Sequence, residues 1–219
     1  IVRSRRILFI TWDGPQTQYL GRLFLPVFEH LASAGYRITI LQFSSAGPEL
    51  RRRIQSQCVE SGVQYVSVPI IKRWGIFGVI LALVRGSAWL TLRLTQRDFD
   101  IVIVRSIVPA LVFLVTQGKR RVPLVYDSDG LPIEQRLEFE GVQERGLLHR
   151  FLLLVERLTL RRATAVVSRS RFGSSVLQSR ARGEIEQKLF LQHNNGVGLI
   201  SRGGRATGEE ISPKNHKND

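Results

Sequence analysis

Short β-branched runs alternate with longer stretches of helical period along this chain, the signature of βα units that build a parallel sheet. The first run, Arg6-Ile7-Leu8-Phe9-Ile10-Thr11-Trp12, stops at the turn-forming Asp13-Gly14-Pro15. Leu20, Leu23, Phe24, Val27, Phe28 and Leu31 then fall at the spacing of one face of a helix that ends near Gly35. A second strand is predicted over Tyr36–Phe43, a basic amphipathic helix over Glu49–Glu60 and a third strand over Val63–Ile70. Phe99–Val104 and Pro123–Tyr126 repeat the strand signal on either side of an apolar helix, Val108–Gln117. A helix from about Glu144 to Arg162, a strand Thr164–Ser168, a short helix from Phe172 and a strand Leu189–Gln192 bring the count to about seven strands. These strands are nearly continuous apolar runs, as expected where helices cover both faces of a parallel sheet.

One segment raises the question of a membrane. Trp74–Leu92 is apolar except for Arg85, and an arginine near the centre of a span costs about 2.5–3.5 kcal/mol on insertion scales. Gly75, Gly78 and Gly86 weaken it further as a free-standing helix. The segment is therefore expected to be a helix or helix pair docked on the sheet, although Arg85, Arg93 and Arg97 around an apolar surface also suit an anionic membrane interface. The apolar run before Asp13 is too short for a secretory signal.

Composition narrows the classes. Hydrophobic residues make up 43% of the 219 and charged residues 23%, the balance of a globular protein. Cys58 is the only cysteine, which excludes a disulfide scaffold and a thiolate zinc site. The formal charge is +14 and uneven: residues 1–126 hold 17 Lys/Arg against 6 Asp/Glu, and residues 127–163 hold 6 against 7. Such a field favours anionic partners, while an arginine-biased genome, with 27 Arg to 5 Lys, would produce much of the excess without any function. There is no methionine, even at position 1, so the chain is expected to be a fragment.

Familiar catalytic motifs are missing from the sequence: no Walker-type phosphate loop, no G-x-G-x-x-G after the first strand, no H-E-x-x-H and no G-x-S-x-G elbow. The four histidines are scattered singly and no metal-ligand set is apparent. Nucleic acid would rest on charge alone.

Three places do put polar residues at the carboxyl ends of predicted strands, where open α/β sheets bind ligands. Asp13-Gly14-Pro15-Gln16-Thr17-Gln18 precedes a helix whose free N–H groups suit a phosphate or diphosphate, or forms simply a capped turn. Tyr126-Asp127-Ser128-Asp129-Gly130-Leu131-Pro132-Ile133-Glu134 places two carboxylates two residues apart, on the same side of an extended segment. They could orient or deprotonate a sugar hydroxyl, hold a divalent ion, or serve only the turn. The third is Ser168-Arg169, with Asn194-Asn195-Gly196-Val197 after the last strand.

The order of these pieces, the first strand and its glycine-containing loop, the helix end Ala34-Gly35-Tyr36-Arg37, the strand Phe99–Val104, the Tyr126–Pro132 turn, the Glu156–Ala165 step and the closing Asn195-Gly196-Val197, resembles the amino-terminal domain of family 4-like GT-B glycosyltransferases over residues 5–198. The resemblance implies a Rossmann-like, doubly wound α/β domain at 1–198 and a polar, mobile tail at 199–219. It implies retaining transfer of a sugar from a nucleotide-sugar, the donor substrate of the complete enzyme, with no tightly bound cofactor. The acceptor would be a cell-surface glycan or a lipid-linked sugar.

By resemblance, Asp129 and Asp127 are the catalytic carboxylates, Asp13, Gly14, Gln18, Arg105, Glu134, Ser168 and Arg169 bind the acceptor, and Asn195 and Gly196 border the interdomain cleft. Arg105 and Arg169, just past strand ends, would neutralise acceptor phosphates or remain solvated. Many relatives carry paired glycines in the first loop, where this chain has Gly14 and later Gly21, and a histidine where it has Asp129. The donor domain with its glutamate pair is expected to lie outside this sequence, leaving an acceptor half inactive alone, cytoplasmic and peripheral to the inner membrane face. The alternative is a non-catalytic domain binding a lipid, a glycan or a partner subunit.

Overall fold

A computed structural model describes residues 5–13, 20–118, 121–129, 133, 146–181, 184–193 and 196–199. The strands are β1 (Arg6–Asp13), β2 (Arg37–Ser44), β3 (Gln64–Pro69), β4 (Ile101–Arg105), β5 (Leu124–Asp127), β6 (Ala165–Ser168), β7 (Leu189–His193) and β8 (Gly196–Leu199). They form one sheet in the order β3-β2-β1-β4-β5-β6-β7-β8. Every neighbouring pair is parallel except β7 and β8. The direction of winding reverses between β1 and β4, which makes this a Rossmann-like, doubly wound fold with its crevice at the carboxyl ends of those strands.

Among the described residues six helices cover the two faces: α1 (Leu25–Ser33), α2 (Pro48–Glu60), α3 (Gly75–Thr95), α4 (Ile107–Thr116), α5 (Leu147–Arg162) and α6 (Arg171–Arg180). Strand alternation sorts the core between them. Ile7, Phe9, Ile38 and Ile40 point to the layer of α1 and α2, where they meet Leu25, Phe28 and Cys58. Leu8, Ile10, Val102, Val104, Leu124 and Val166 point the other way, to Ala82 and Leu90 of α3, Ala110 and Phe113 of α4, Leu160 of α5 and Leu177 of α6.

The seven parallel strands are those the apolar runs predict, and β8 is an addition. It runs antiparallel to β7, with His193 opposite Gly196 and Phe190 opposite Leu199. Its four residues include two glycines and show no alternation long enough to read as a strand. The residues expected to form a tail beyond Leu199 lie outside the described residues.

The first helix departs in phase from its prediction. Leu20–Phe24 forms a π-turn before α1 begins, and the extra residue in that turn rotates the following side chains. Leu20, Leu25 and Phe28 are buried as a result, while Leu23 and Val27, predicted on the buried face, are exposed.

Trp74–Leu92 lies within a 3-10 turn (Lys72–Trp74) followed by the single 21-residue helix α3. It is seated by Gly78, Ala82, Gly86, Leu90 and Leu94, all buried. A β-carbon on Gly86 would fall 2.2 Å from the Phe43 ring, and one on Gly78 would fall 2.1 Å from the carbonyl oxygen of Ile71. These glycines are close-approach positions that let the helix lie on β2 and β3, which offsets their low helix propensity.

Candidate functional site

The last residues of β4 and β5 are register partners, Arg105 opposite Asp127. By strand alternation both point to the α1/α2 side of the sheet, beside the switch point. Arg105 is 1% exposed. One of its terminal nitrogens donates to Asp127 Oδ2 at 2.9 Å and the other to Asp129 Oδ1. The guanidinium carbon sits over the ring of Phe24, the residue that ends the π-turn, 4.7 Å from its centroid.

Charges at a strand end suggest solvent, and the sequence therefore places Arg105 just past its strand. Here a cross-strand ion pair extends the ladder by one residue, and Arg105 is interior. Its charge is met by carboxylates of its own chain.

Asp127 and Asp129 do converge, though by a different route from an extended segment. Asp129 has φ +48, in the left-handed region, and its backbone N–H donates to Asp127 Oδ1 at 3.1 Å. This Asx turn folds the second carboxylate back over the first. Ser106 has φ +71 and donates its N–H to the Asp127 carbonyl oxygen at 2.9 Å. Three non-glycine residues among those described have positive φ, and two of them, Ser106 and Asp129, flank this cluster. Such strain persists where surrounding structure holds it, commonly at functional sites.

Arg169, directly after β6, completes the arrangement. Its guanidinium nitrogens lie 3.9 Å from Asp127 Oδ2 and 3.9 Å from Asp129 Oδ1. Three neighbouring strands thus contribute two arginines and two aspartates whose formal charges cancel. Asp127 is sealed in with Arg105, whereas Asp129 and Arg169 remain about one-third exposed, at 34% and 33% of their side chains. These two are the members a ligand in the crevice can reach.

Ser168 sits at the end of β6 but stands apart from this group. It is fully buried and its hydroxyl donates to the Ser170 carbonyl at 3.2 Å. Ser170 in turn caps α6, accepting the Gly173 N–H at 2.9 Å on its hydroxyl. Asp13 is the last residue of β1 and Gly196 the first of β8. Gly14, Gln18, Glu134 and Asn195 lie outside the described residues.

A second buried group lies on the opposite side of β5 and escaped the sequence reading. Tyr126 and Glu156 are both fully buried, and Arg180 of α6 donates to Glu156. Burial, then the neighbouring carboxylates of Glu156 and Asp127, push the Tyr126 phenol well above its ordinary range, so it is a neutral group beneath the site. A single acid in a helix otherwise of apolar and basic residues and one threonine is the signal the sequence offers. Among the described residues no cluster of three or more His, Cys, Asp or Glu is placed to hold a metal ion.

The fold has many solved counterparts. Sucrose-phosphate synthase from Thermosynechococcus elongatus matches with a TM-score of 0.58 at 12% identity, over 85% of this chain and 47% of that one. A glycosyltransferase from Rickettsia africae matches with a TM-score of 0.52 at 14% identity, over 86% and 42%. A protein assigned as a UDP-N-acetylglucosamine 2-epimerase from Listeria monocytogenes matches with a TM-score of 0.53 at 14% identity, over 85% and 44%. At these identities the likeness concerns the fold, and the chain spans less than half the length of each of these three structures. No curated protein matches the chain. The family model described as "glycosyl transferase 4-like domain" matches residues 20–178, well over half of the sequence and inclusive of Arg105, Asp127, Asp129 and Arg169, and the chain accordingly belongs to the glycosyltransferase 4-like family.

Proposed function

We propose that this domain is the acceptor side of a retaining GT-B glycosyltransferase that moves a sugar from a nucleotide-sugar to a lipid-linked or cell-surface glycan acceptor, the donor being held by a further part of the protein. The observation that carries this is the pair Asp129 and Arg169, each about one-third exposed at the carboxyl edge of the sheet and braced by buried Arg105 and Asp127, in a domain of the glycosyltransferase 4-like family. Asp129 orients the attacking hydroxyl by accepting its hydrogen bond, and Arg169 faces the phosphates of donor or acceptor. In retaining transfer the acceptor oxygen bonds to the anomeric carbon as the bond to the nucleoside diphosphate breaks. The leaving oxygen keeps the bonding electrons and takes the hydroxyl proton. Arg105 and Asp127 position Asp129 rather than touch substrate.

The test is turnover of a panel of nucleotide-sugars, with membrane extract as acceptor, by this chain and by the chain extended through its downstream coding sequence. Activity only in the extended form is expected, with Asp129→Asn lowering kcat/KM about 10²-fold and leaving the fold intact. Inactivity of a folded extended form would overturn transfer in favour of a non-catalytic binding domain, and activity of the short chain would overturn the assignment to the acceptor side.

A further inference from the structure

Helices α3 to α6 form one layer, and its outer surface is unusual in composition. These four helices contain a single acidic residue, Glu156, and it is fully buried. On α5 every exposed residue is either apolar or arginine. Leu147, Phe151, Leu154 and Leu158 make a stripe at i, i+4, i+7 and i+11, with Arg150, Arg157 and Arg161 along its flank. Leu147 is 86% exposed. On α3 the surface opposite the seated glycines shows Phe77, 74% exposed, with Ile80 and Val84, bounded by Lys72, Arg73 and Arg85. The other layer differs: α1 carries Glu29, and α2 carries Glu49 and Glu60 beside Arg51, Arg52 and Arg53.

An apolar stripe edged by basic residues alone has a specific physical fit. Apolar side chains enter the acyl boundary of a bilayer while arginines meet lipid phosphates, and these four helices themselves present no exposed acid to repel an anionic surface, the half-exposed Glu184 beside them being paired with Arg161. A helix of another protein would satisfy the apolar stripe equally but gives no reason why the only acid on these four described helices is buried. Between α5 and α6 lies a cavity of about 280 Å³ lined by Leu154, Leu158 and Ala181 together with Arg157, Arg161 and Arg180. Apolar floor and basic rim are the lining a phospholipid would need. Arg161 also pairs with Glu184 at 3.2 Å, and Arg180 with Glu156, which leaves Arg157 as the rim's main contribution to binding.

α3 is long and apolar enough to cross a membrane by length and composition. Its buried stripe on β2 and β3 makes it an element that lies along the surface.

The topology also fixes which edge faces the lipid. In a parallel α/β unit each helix starts at the carboxyl end of the preceding strand and finishes at the amino end of the next. α3 leads into β4 and α5 into β6, so the Phe77 and Leu147 ends of both helices lie at the edge that carries Arg105 and Asp129.

We propose that the outer face of α3 and α5 docks this domain on an anionic phospholipid surface, with the crevice edge nearest to Phe77 and Leu147. This deepens the proposed transfer by naming the surface from which a lipid-linked acceptor is drawn, and it rests on that reading for its purpose alone, since docking is measured without turnover. The experiment is co-sedimentation of the chain with phosphatidylcholine vesicles and with vesicles containing about one-third phosphatidylglycerol, at low and high salt. Retention is expected on the anionic vesicles, weakened by salt, and reduced about tenfold or more by Phe77→Asp combined with Leu154→Asp. Val59→Asp, on an exposed apolar residue of α2, should leave retention unchanged. Circular dichroism and thermal unfolding confirm that each variant is folded.

Absence of retention, or equal retention of the doubly substituted chain, would overturn the proposal. So would a concentration-dependent dimer that the same two substitutions dissolve without any vesicle binding, because the face would then belong to a second copy. Loss of vesicle binding in the extended protein while the short chain binds would overturn it as well, assigning the face to the following domain.

Discussion

Replacing Arg105 by methionine tests whether the carboxylate pair is held by the strand-end ion pair. The substitution keeps most of the stem volume and removes the guanidinium. Asp127, whose side chain is 9% exposed, then loses its partner at 2.9 Å, and an uncompensated buried charge of this kind costs about 3–5 kcal/mol. Asp129 adds little, because a carboxylate one-third exposed recovers water and such pairs contribute about 0–1 kcal/mol. Loss of the cation–π contact with Phe24 is offset in part by a thioether on the same ring. Arg169, 3.9 Å from Asp127, supplies some compensation and brings the expectation to the lower end, about 3 kcal/mol. Urea unfolding followed by tryptophan fluorescence measures this, provided the m value is unchanged. The cycle with Asp127→Asn should show a coupling of about 2 kcal/mol, since the neutral amide no longer requires the arginine. A loss below about 1 kcal/mol, or an additive cycle, would refute the strut.

Three further outcomes follow from the packing. Gly86→Ala gains about 1 kcal/mol of helix propensity but drives a methyl into the buried Phe43 ring, 2.2 Å away, at a cost of about 1–3 kcal/mol. A net fall in Tm is expected, and a rise would refute the close approach of α3 to β2. Ser170→Ala removes the hydroxyl that caps α6 and should destabilise by about 1 kcal/mol in urea, whereas no change would mean that the Gly173 N–H finds another partner. Burial pushes the Cys58 thiol up to about 11. The folded state therefore holds it neutral until the pH approaches that value, and alkylation at about pH 8 should run about 100-fold slower than in urea. Comparable rates would show that Cys58 is accessible.

The parallel strands were legible within a residue or two because strands covered on both faces are written as continuous apolar runs, as in Ile101-Val102-Ile103-Val104. The ends were less so. Arg105 and Asp127 carry charge, and charge at the end of an apolar run reads as solvent until the register shows the two opposite one another. The phase of α1 depended on a π-turn, and no residue type marks an extra residue in a helical turn. β8 hides in Gly196-Val197-Gly198-Leu199 because its pairing with β7 outweighs its composition.

Within the site, the sequence by itself determined that two carboxylates end one strand and that arginines follow its neighbours. Periodicity carries that much, because it records which residues an element buries. Only the tertiary structure decided that Arg105 is an interior strut, that Ser168 turns away to Ser170, and that Asp129 and Arg169 are left facing the crevice. The first and the last of these depend on side chains from strands about 20 to 40 residues apart meeting in register, while Ser168 turns to a carbonyl only two residues on. Local preference along a chain contains no term for that meeting.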